Sequence, residues 1–239
     1  MSEKIYWLLK KINILPEDDT WLSDAEAERL EVFRYSKIHE DWLAGRWAAK
    51  HLLRKTILPA GSNLRELSIL NEPSGAPYAE FKGRLLGGSL SISNRGGFTA
   101  AAFSSSPSLN VGIDIETIEE KSAGFIEDHF TVNEGVALNN LEPKRRDLMA
   151  SLLWSAREAM IKAQKVGVQI DKREFEFQIM GSHPASGWQK LDFVRCPIWM
   201  WDIDLFWQQR DHILVTLAVK HPDQDNDITP DRFSEVTFE

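Results

Sequence analysis

Val111-Gly-Ile-Asp-Ile-Glu116 is the stretch from which the rest of the chain is read. Val111, Ile113 and Ile115 alternate with Gly112, Asp114 and Glu116, the period of a strand, so the two acids share one face. About forty residues later, Trp154-Ser-Ala-Arg-Glu-Ala-Met-Ile-Lys162 places Trp154, Glu158 and Lys162 at i, i+4 and i+8, one stripe of a helix. Laying that stripe over the acidic face of the strand brings the carboxylates of Asp114, Glu116 and Glu158 together, with the Lys162 ammonium one turn away. Three carboxylates at one place repel each other unless a cation sits among them, and all-oxygen ligation suits Mg²⁺. Magnesium held by few protein ligands commonly holds substrate phosphates as well, and Lys162 can hydrogen-bond the same phosphate oxygens.

Each motif alone has a plainer reading. A single D-x-E on a strand is common, and E-x-x-x-K on a helix is most often a solvated salt bridge. The combination speaks for a site, because acids on an otherwise apolar strand have no structural purpose and unpaired buried charge is costly.

At 239 residues, with 43% hydrophobic and 27% charged, the chain can bury a substantial core and is not disordered. The single Cys196 excludes an intramolecular disulfide and fits a reducing compartment. The start, Met1-Ser-Glu-Lys-Ile-Tyr6, has no signal-peptide core, and no apolar run reaches the ~20 residues that span a bilayer. A cytoplasmic protein without membrane contact is expected. The net charge of -8 argues against nucleic acid as a main partner. An acidic ligand would need a local basic patch, for which Arg34, Lys37, Arg46, Lys50, Arg54 and Lys55 are available.

Along the chain, Ile5 to Ile14 reads as a strand stopped by Pro16. Ser23-Asp-Ala-Glu26 and Thr131-Val-Asn-Glu134 are capping boxes that open helices. A helix is expected from Asp41 to Leu58, and a long one from Pro143 to about Lys165, ended by Gly167. Glu66–Leu70 reads as a strand. Ser89-Leu-Ser-Ile-Ser93 alternates strictly, with Leu90 and Ile92 on one face and three serines on the other. Asn94-Arg-Gly-Gly97 then turns the chain into a strand from Phe98 to Phe103, and Val111–Glu116 makes a third neighbour. Phe175 to Met180 reads as a strand. Trp199, Trp201, Ile203, Leu205 and Trp207 alternate as one apolar face, returned by Ile213 to Val219. These tryptophans are expected in the core. The segment after Pro222 is expected to be loosely ordered, and the histidines show no metal-ligand spacing. Ser104-Ser-Ser-Pro-Ser108 is the best linker candidate.

G-I-D-I-E followed by W-S-A-R-E-A-M-I-K-A resembles the signature pair of the 4′-phosphopantetheinyl transferases, in particular the large monomeric type that activates surfactin synthetase. That pattern is roughly G-x-D-x-E, then W-x-x-K-E-x-x-x-K. The resemblance implies an α+β fold of two similar halves, each an antiparallel sheet with packed helices, and an active site at their interface. With the linker candidate it places the halves at 1–106 and 107–239. It implies a monomer that transfers the 4′-phosphopantetheine arm of coenzyme A to a serine of an apo acyl or peptidyl carrier protein. Mg²⁺ would sit on Asp114, Glu116 and Glu158, and adenosine 3′,5′-bisphosphate would be released.

Further residues follow from the same resemblance. Trp42-Leu-Ala-Gly-Arg-Trp-Ala-Ala-Lys50 is similar to the family's L-A-G-R-x-x-A-K helix, which makes Arg46 a coenzyme A contact; the alternative for Arg46 and Lys50 is a solvated helix face. Basic residues near this helix hold the 3′-phosphate in the family, a role carried to Lys37. Gly75-Ala-Pro77 resembles the G-K-P loop that borders the adenine, with Ala76 in place of lysine. Asn94 stands where the family has a histidine on the pyrophosphate; it can donate one neutral hydrogen bond, and Arg95 beside it can supply charge. The alternative for this segment is a tight turn. Arg157 stands where the family usually has lysine, and the two are not interchangeable at a tight phosphate.

Chemically, Lys162 would clamp the diphosphate and Glu158, directly or through a water, would take the proton of the attacking serine. Two rival readings use the same residues: a Mg²⁺-dependent hydrolase of nucleotide pyrophosphates, and a non-catalytic relative that binds coenzyme A or a carrier protein.

Overall fold

The computed structural model describes residues 4–16, 18–31, 37–165, 170–179, 187–221 and 228–238. In chain order the elements are β1 (Ile5–Lys11), α1 (Asp24–Leu30), α2 (Lys37–Thr56), β2 (Leu67–Asn71), β3 (Pro77–Phe81), β4 (Arg84–Leu85), β5 (Ser89–Arg95), β6 (Phe98–Ser104) and β7 (Asn110–Thr117). There follow α3 (Ala123–His129), α4 (Val132–Asn139), α5 (Pro143–Gln164), β8 (Glu176–Phe177), β9 (Gln189–Lys190), β10 (Phe193–Arg195), β11 (Ile203–Arg210), β12 (Ile213–Lys220) and β13 (Phe233–Glu235).

Two four-stranded sheets organise the molecule, in the orders β13-β1-β6-β5 and β7-β12-β11-β9. Their neighbours pair antiparallel except β1 with β13, which run parallel. Small sheets β2-β3-β4 and β10-β8 complete the set. Ala48, Ala49, Leu52 and Leu53 seat α2 on Leu8, Leu90, Ala101 and Phe103 of the first sheet. Ala156, Ala159, Met160 and Ala163 seat α5 on Leu205, Leu214 and Ala218 of the second. The opposite faces of the two sheets meet each other: Ile5, Trp7, Ala100 and Ala102 pack with Val111, Ile113, Ile115, Phe206, Val215 and Leu217. The layers therefore run helix, sheet, sheet, helix.

The alternation read in Val111–Glu116 has a direct structural expression. The valine and isoleucines enter the core between the sheets, and Gly112, Asp114 and Glu116 face α5. A Cβ at Gly112 would lie 2.0 Å from the Ala159 carbonyl oxygen and 2.5 Å from the Ala163 nitrogen. Only glycine lets the helix backbone come this close.

β7 is the end strand of its sheet, and its outward N–H groups are buried. They do not pair with a strand. Val111, Ile113 and Ile115 donate to the hydroxyls of Ser89, Ser91 and Ser93 at 2.9, 3.0 and 3.3 Å. The three serines expected on one face of β5 thus close the edge of the second sheet, since both strands repeat every two residues. The three neighbouring strands expected from the sequence are neighbours in space, but β7 pairs through its ladder with β12 and not with β5 or β6.

Two buried glutamates anchor the helices. Glu26 closes the capping box with Ser23, accepts the Ile69 N–H at 2.9 Å and pairs with Lys50. Glu134 closes the box with Thr131, accepts the Phe177 N–H at 3.0 Å and pairs with Arg157 at 2.5 Å.

Several expectations need correction. Lys50 is fully buried, donating also to the Trp21 and Leu64 carbonyls at 3.0 Å each, and Arg46 is 8% exposed, so these two form no solvated face. Asn94 and Arg95 belong to β5; the turn is Gly96-Gly97, at φ 58° and 78°. Trp199 and Trp201 precede β11 and stand half-exposed, leaving Trp207 in the core. The strand expected over Phe175–Met180 shortens to β8, with Met180 outside the described residues. Gly167 also lies outside them; α5 ends with Lys165 in a left-handed conformation at φ 53°. Of the segment after Pro222, residues 228–238 are packed: Ile228 enters the core, β13 pairs with β1 and Phe238 is buried. Within Ser104–Ser108, Ser104 and Ser106 are buried, the Ser106 N–H bonding the Ser104 hydroxyl at 3.2 Å.

Replacing Ser91 by alanine removes the acceptor of a buried N–H while deleting one atom. The expected loss is about 1–3 kcal/mol, a fall of roughly 3–10 °C in thermal midpoint. An unchanged melting curve would show that the serine ladder does not hold β7 in place.

Candidate functional site

Because α5 presses on Gly112, the next two acids of β7 lie under the half-buried stripe Trp154, Glu158 and Lys162. A cavity of about 430 Å³ opens there, lined by Asp41, Ile92, Ser93, Asn94, Arg95, Asp114, Ile115, Glu116, Trp154, Glu158 and Lys162. All three expected carboxylates and both expected catalytic residues border it.

Asp114 is held in one orientation by three donors: Ser93 at 2.9 Å, Ser155 at 2.7 Å and the Lys162 ammonium at 2.8 Å. Lys162 also donates to the Ile113 carbonyl at 3.2 Å. Glu116 faces Arg95 at 3.3 Å and Lys121 at 3.4 Å. Burial raises the Glu116 carboxyl above its ordinary value; Lys121 and Arg95 pull it down, and Asp114 adds to the rise. Glu158 is taken by Lys172, at 2.5 Å. The carboxylates therefore share a cavity, but each is neutralised by its own cation. Among the described residues no group of three or more His, Cys, Asp or Glu is arranged to hold a metal ion.

A second cavity of about 260 Å³ lies beside the first. Its lining includes Gly75, Ala76, Pro77, Leu90, Ser91, Ile92, Lys162 and Lys165. Ile92 and Lys162 border both cavities. The Gly75–Pro77 loop is shaped from behind: Arg46 donates to the Asn71 side chain, which donates to the Gly75 carbonyl at 2.7 Å. Gly75 sits at φ 90°, where a side chain would be strained. Arg46 thus lies under the loop and borders neither cavity; burial brings its guanidinium down to about 10, with Glu26 opposing.

Asn94 lines the first cavity with its Oδ1 buried and without a hydrogen-bond partner among the described residues. Such an orphaned atom inside a polar cavity invites a ligand donor. Arg95 lies at the rim, its guanidinium shared between Glu116 and Glu119. The Lys37 side chain lies outside the described residues. Arg157 is no phosphate contact: it is fully buried, donating to Glu134 and to the Leu153, Lys172 and Phe175 carbonyls.

Sequence reasoning missed Ser93, Ser155, Lys121, Lys165 and Lys172. Lys165 borders the second cavity, and burial lowers its ammonium below the ordinary lysine value, with Glu72 opposing. Its signal was legible, a lysine three residues after Lys162 and so about one helical turn on. Lys172 comes from a separate turn, and no local pattern tied it to Glu158.

A comparison with known protein families comes to the same part of the chain. The family model of the 4′-phosphopantetheinyl transferase superfamily matches residues 110–204, which include β7 and α5. Among solved structures, the holo-[acyl-carrier-protein] synthase of Thermotoga maritima is similar at 17% identity, over 54% of this chain and 76% of that chain, with a TM-score of 0.36. No curated protein matches the chain. Among the described residues, no helix is long and apolar enough to cross a membrane.

Since folding disfavours ionised Glu116, the folded chain keeps that proton to higher pH than the unfolded one. The stability this group contributes is present below its ordinary value of 4.5 and is lost as pH rises through the raised value. Glu116→Gln should therefore raise the thermal midpoint at neutral pH, by about 2–4 °C for a change of ~1 kcal/mol, and the gain should vanish in acid. A midpoint lowered at pH 7 would mean that the Lys121 and Arg95 pairs outweigh burial.

Proposed function

We propose that this chain transfers the 4′-phosphopantetheine arm of coenzyme A to a serine hydroxyl of an apo carrier protein. The observation that carries this reading is a pair of cavities that share Ile92 and Lys162 in their linings, with carboxylates in one and the Gly75–Pro77 loop in the other. A nucleotide diphosphate has that shape and charge order. The family match over residues 110–204 supports the reaction class.

On this reading the Gly75–Pro77 loop borders the adenine, and Lys162 and Lys165 meet the phosphates. Asn94 and Arg95 approach the diphosphate from the end of β5. The serine oxygen attacks the phosphorus that carries the pantetheine arm, the phosphoanhydride bond breaks, and adenosine 3′,5′-bisphosphate leaves. Glu158 accepts the serine proton. Lys162 stabilises the leaving phosphate.

The residues fit a magnesium ion by donor chemistry. Asp114, Glu116 and Glu158 are oxygen donors on one cavity, and the buried, raised Glu116 is a carboxylate whose charge a divalent cation would relieve. When bound, magnesium neutralises charge on the diphosphate oxygens. For Glu158 to join Asp114 and Glu116, Lys172 must release it. Lys172 is then a positioning residue that holds Glu158 back. With Mn²⁺ as the probe, titrated by electron paramagnetic resonance without substrate, Lys172→Met should bind severalfold more tightly than the parent chain. Equal affinities would remove Glu158 from the ligand set.

The same reading carries two similar halves divided near residue 106, and the buried glutamates support it. Ser23, Glu26, Lys50 and Ile69 recur as Thr131, Glu134, Arg157 and Phe177, each set a capping box, a cation on the long helix and a strand N–H.

The decisive assay incubates the chain with coenzyme A, Mg²⁺ and apo carriers of the fatty-acid, polyketide and peptide types, and weighs the carriers by mass spectrometry. A carrier should gain one phosphopantetheine arm. Asp114→Ala should lower the rate about a hundredfold or more with the circular dichroism spectrum retained. No gain on any carrier would reject the transferase. Release of adenosine bisphosphate without a carrier would select the hydrolase, and calorimetric binding without turnover the non-catalytic relative.

A further inference from the structure

At the C-terminal end of α2, the opposite end from Asp41 in the carboxylate cavity, lies a third concavity of about 620 Å³. It is lined by Lys10, Arg54, Lys55, Thr237 and Phe238, with no carboxylate side chain among them. Two of the cations lie in the last turn of α2, where they complement the helix dipole. The dipole does not account for Lys10, which arrives from β1 and donates to the Phe238 carbonyl. Three cations from two elements thus converge in a chain whose net charge is -8.

The floor beneath them is a packed aromatic cluster. Phe238 stacks on His51 with ring centroids 4.1 Å apart, Trp47 covers the other neighbour position at 4.2 Å, and Arg54 donates to His51 Nδ1 at 3.1 Å. The local field is positive enough to be felt by this imidazole. Burial first, then Arg54, Lys55 and Lys10, bring His51 down to about 4, so it stays neutral and adds no charge of its own. Among the described residues Lys55 makes no ion pair.

The position in the fold sharpens the contrast. Lys50 takes in α2 the part that Arg157 takes in α5, each paired with its buried glutamate. The residue after Arg157 is Glu158 and the fifth after it is Lys162; the corresponding residues of α2 are His51 and Lys55.

We propose that the Lys10, Arg54 and Lys55 concavity is a second, non-catalytic binding site for a small phosphate-bearing anion, held directly by these side chains without a metal ion. Three positive charges match a di- or trivalent anion such as a diphosphate. A monocarboxylate would leave the excess uncompensated. Arg54 offers paired N–H donors, the two lysines act as point charges and Thr237 adds a hydroxyl. The concave shape suits a small molecule better than the surface of an acidic protein.

Inorganic pyrophosphate is the probe, titrated calorimetrically into the full chain in EDTA at low ionic strength. Lys55→Glu should weaken binding about tenfold or more, the range of a lost charge pair turned repulsive, and Arg54→Gln should weaken it as well. Lys162→Ala, in the proposed transferase cavity, should leave this binding in place. Lys55 is exposed, so Lys55→Glu keeps the test intact if Arg54→Gln fails to fold. The proposal is overturned if Lys55→Glu binds pyrophosphate as the parent does, or if Lys162→Ala abolishes all binding. It is also overturned if the chain binds no pyrophosphate; a loss of affinity of Lys55→Glu for an apo carrier protein would then make the patch a protein contact. Phosphopantetheine transfer by Lys55→Glu should be unchanged, so failure here and failure of the transferase reading are separate results.

Discussion

Three serine hydroxyls accept the N–H groups on the outer edge of β7, the end strand of its sheet, and the site geometry depends on that contact. An end strand buried inside a protein leaves every second N–H without a partner, at a cost of about 1–3 kcal/mol each. A fourth backbone ladder would satisfy them but would merge the two sheets into one. Ser89, Ser91 and Ser93 satisfy them while keeping the sheets separate. The face of β7 that carries Gly112, Asp114 and Glu116 is thereby left open for α5 to pack on. Ser93 then serves twice, accepting from the Ile115 N–H and donating to Asp114. The structural seam and the functional cavity are built from one side chain.

The second constraint is steric. Gly112 brings the α5 backbone onto the strand, and Ala156, Ala159 and Ala163 keep that interface thin. A helix this close delivers Glu158 and Lys162 to the edge of the strand without long side chains having to reach. The buried Arg157–Glu134 pair fixes the rotation of α5, and the Lys50–Glu26 pair does the same for α2. A buried ion pair contributes little net stability against apolar packing, but breaking one partner costs about 3–5 kcal/mol. Such pairs specify a single rotational setting more than they add stability.

How much of this could be read beforehand follows from the range of each interaction. Alternation in Val111–Glu116 and the stripe at Trp154, Glu158 and Lys162 are periodic, so strand, helix and facing acids were legible. Both capping boxes were legible for the same reason, being local. The continuation of each box into a buried ion pair was not, because Lys50 and Arg157 lie more than twenty residues further on. Arg46 was assigned by likeness of pattern to coenzyme A; it is buried in this structure, and its guanidinium bonds Asn71 beneath the Gly75–Pro77 loop. Trp199 and Trp201 share the parity of Trp207, yet a short helical turn at Ile198–Met200 interrupts the strand before the alternation can apply. Parity predicts a face only while the backbone stays extended. Lys172 was invisible for a different reason: the turn that carries it is joined to α5 by a connection, and no periodicity spans a connection.

Charge compensation explains why the carboxylates are found apart. Like charges in one cavity must be neutralised, and in this arrangement the chain does so with its own cations: Lys162 on Asp114, Arg95 and Lys121 on Glu116, and Lys172 on Glu158. A ligand carrying both a divalent ion and a diphosphate can exchange with those partners as a unit. On the proposed reading, an ion held by Asp114, Glu116 and Glu158 would take the place of the lysines on the carboxylates, and the phosphates would receive the lysines so released. The number of ion contacts is nearly conserved, so the exchange requires little net desolvation. A diphosphate alone would leave the acids facing each other with their cations withdrawn, and an ion alone would strand the lysines. On this argument the cavity favours the two together over either one, and Lys162, which touches Asp114 and borders the neighbouring cavity, is the residue through which the two bindings are coupled.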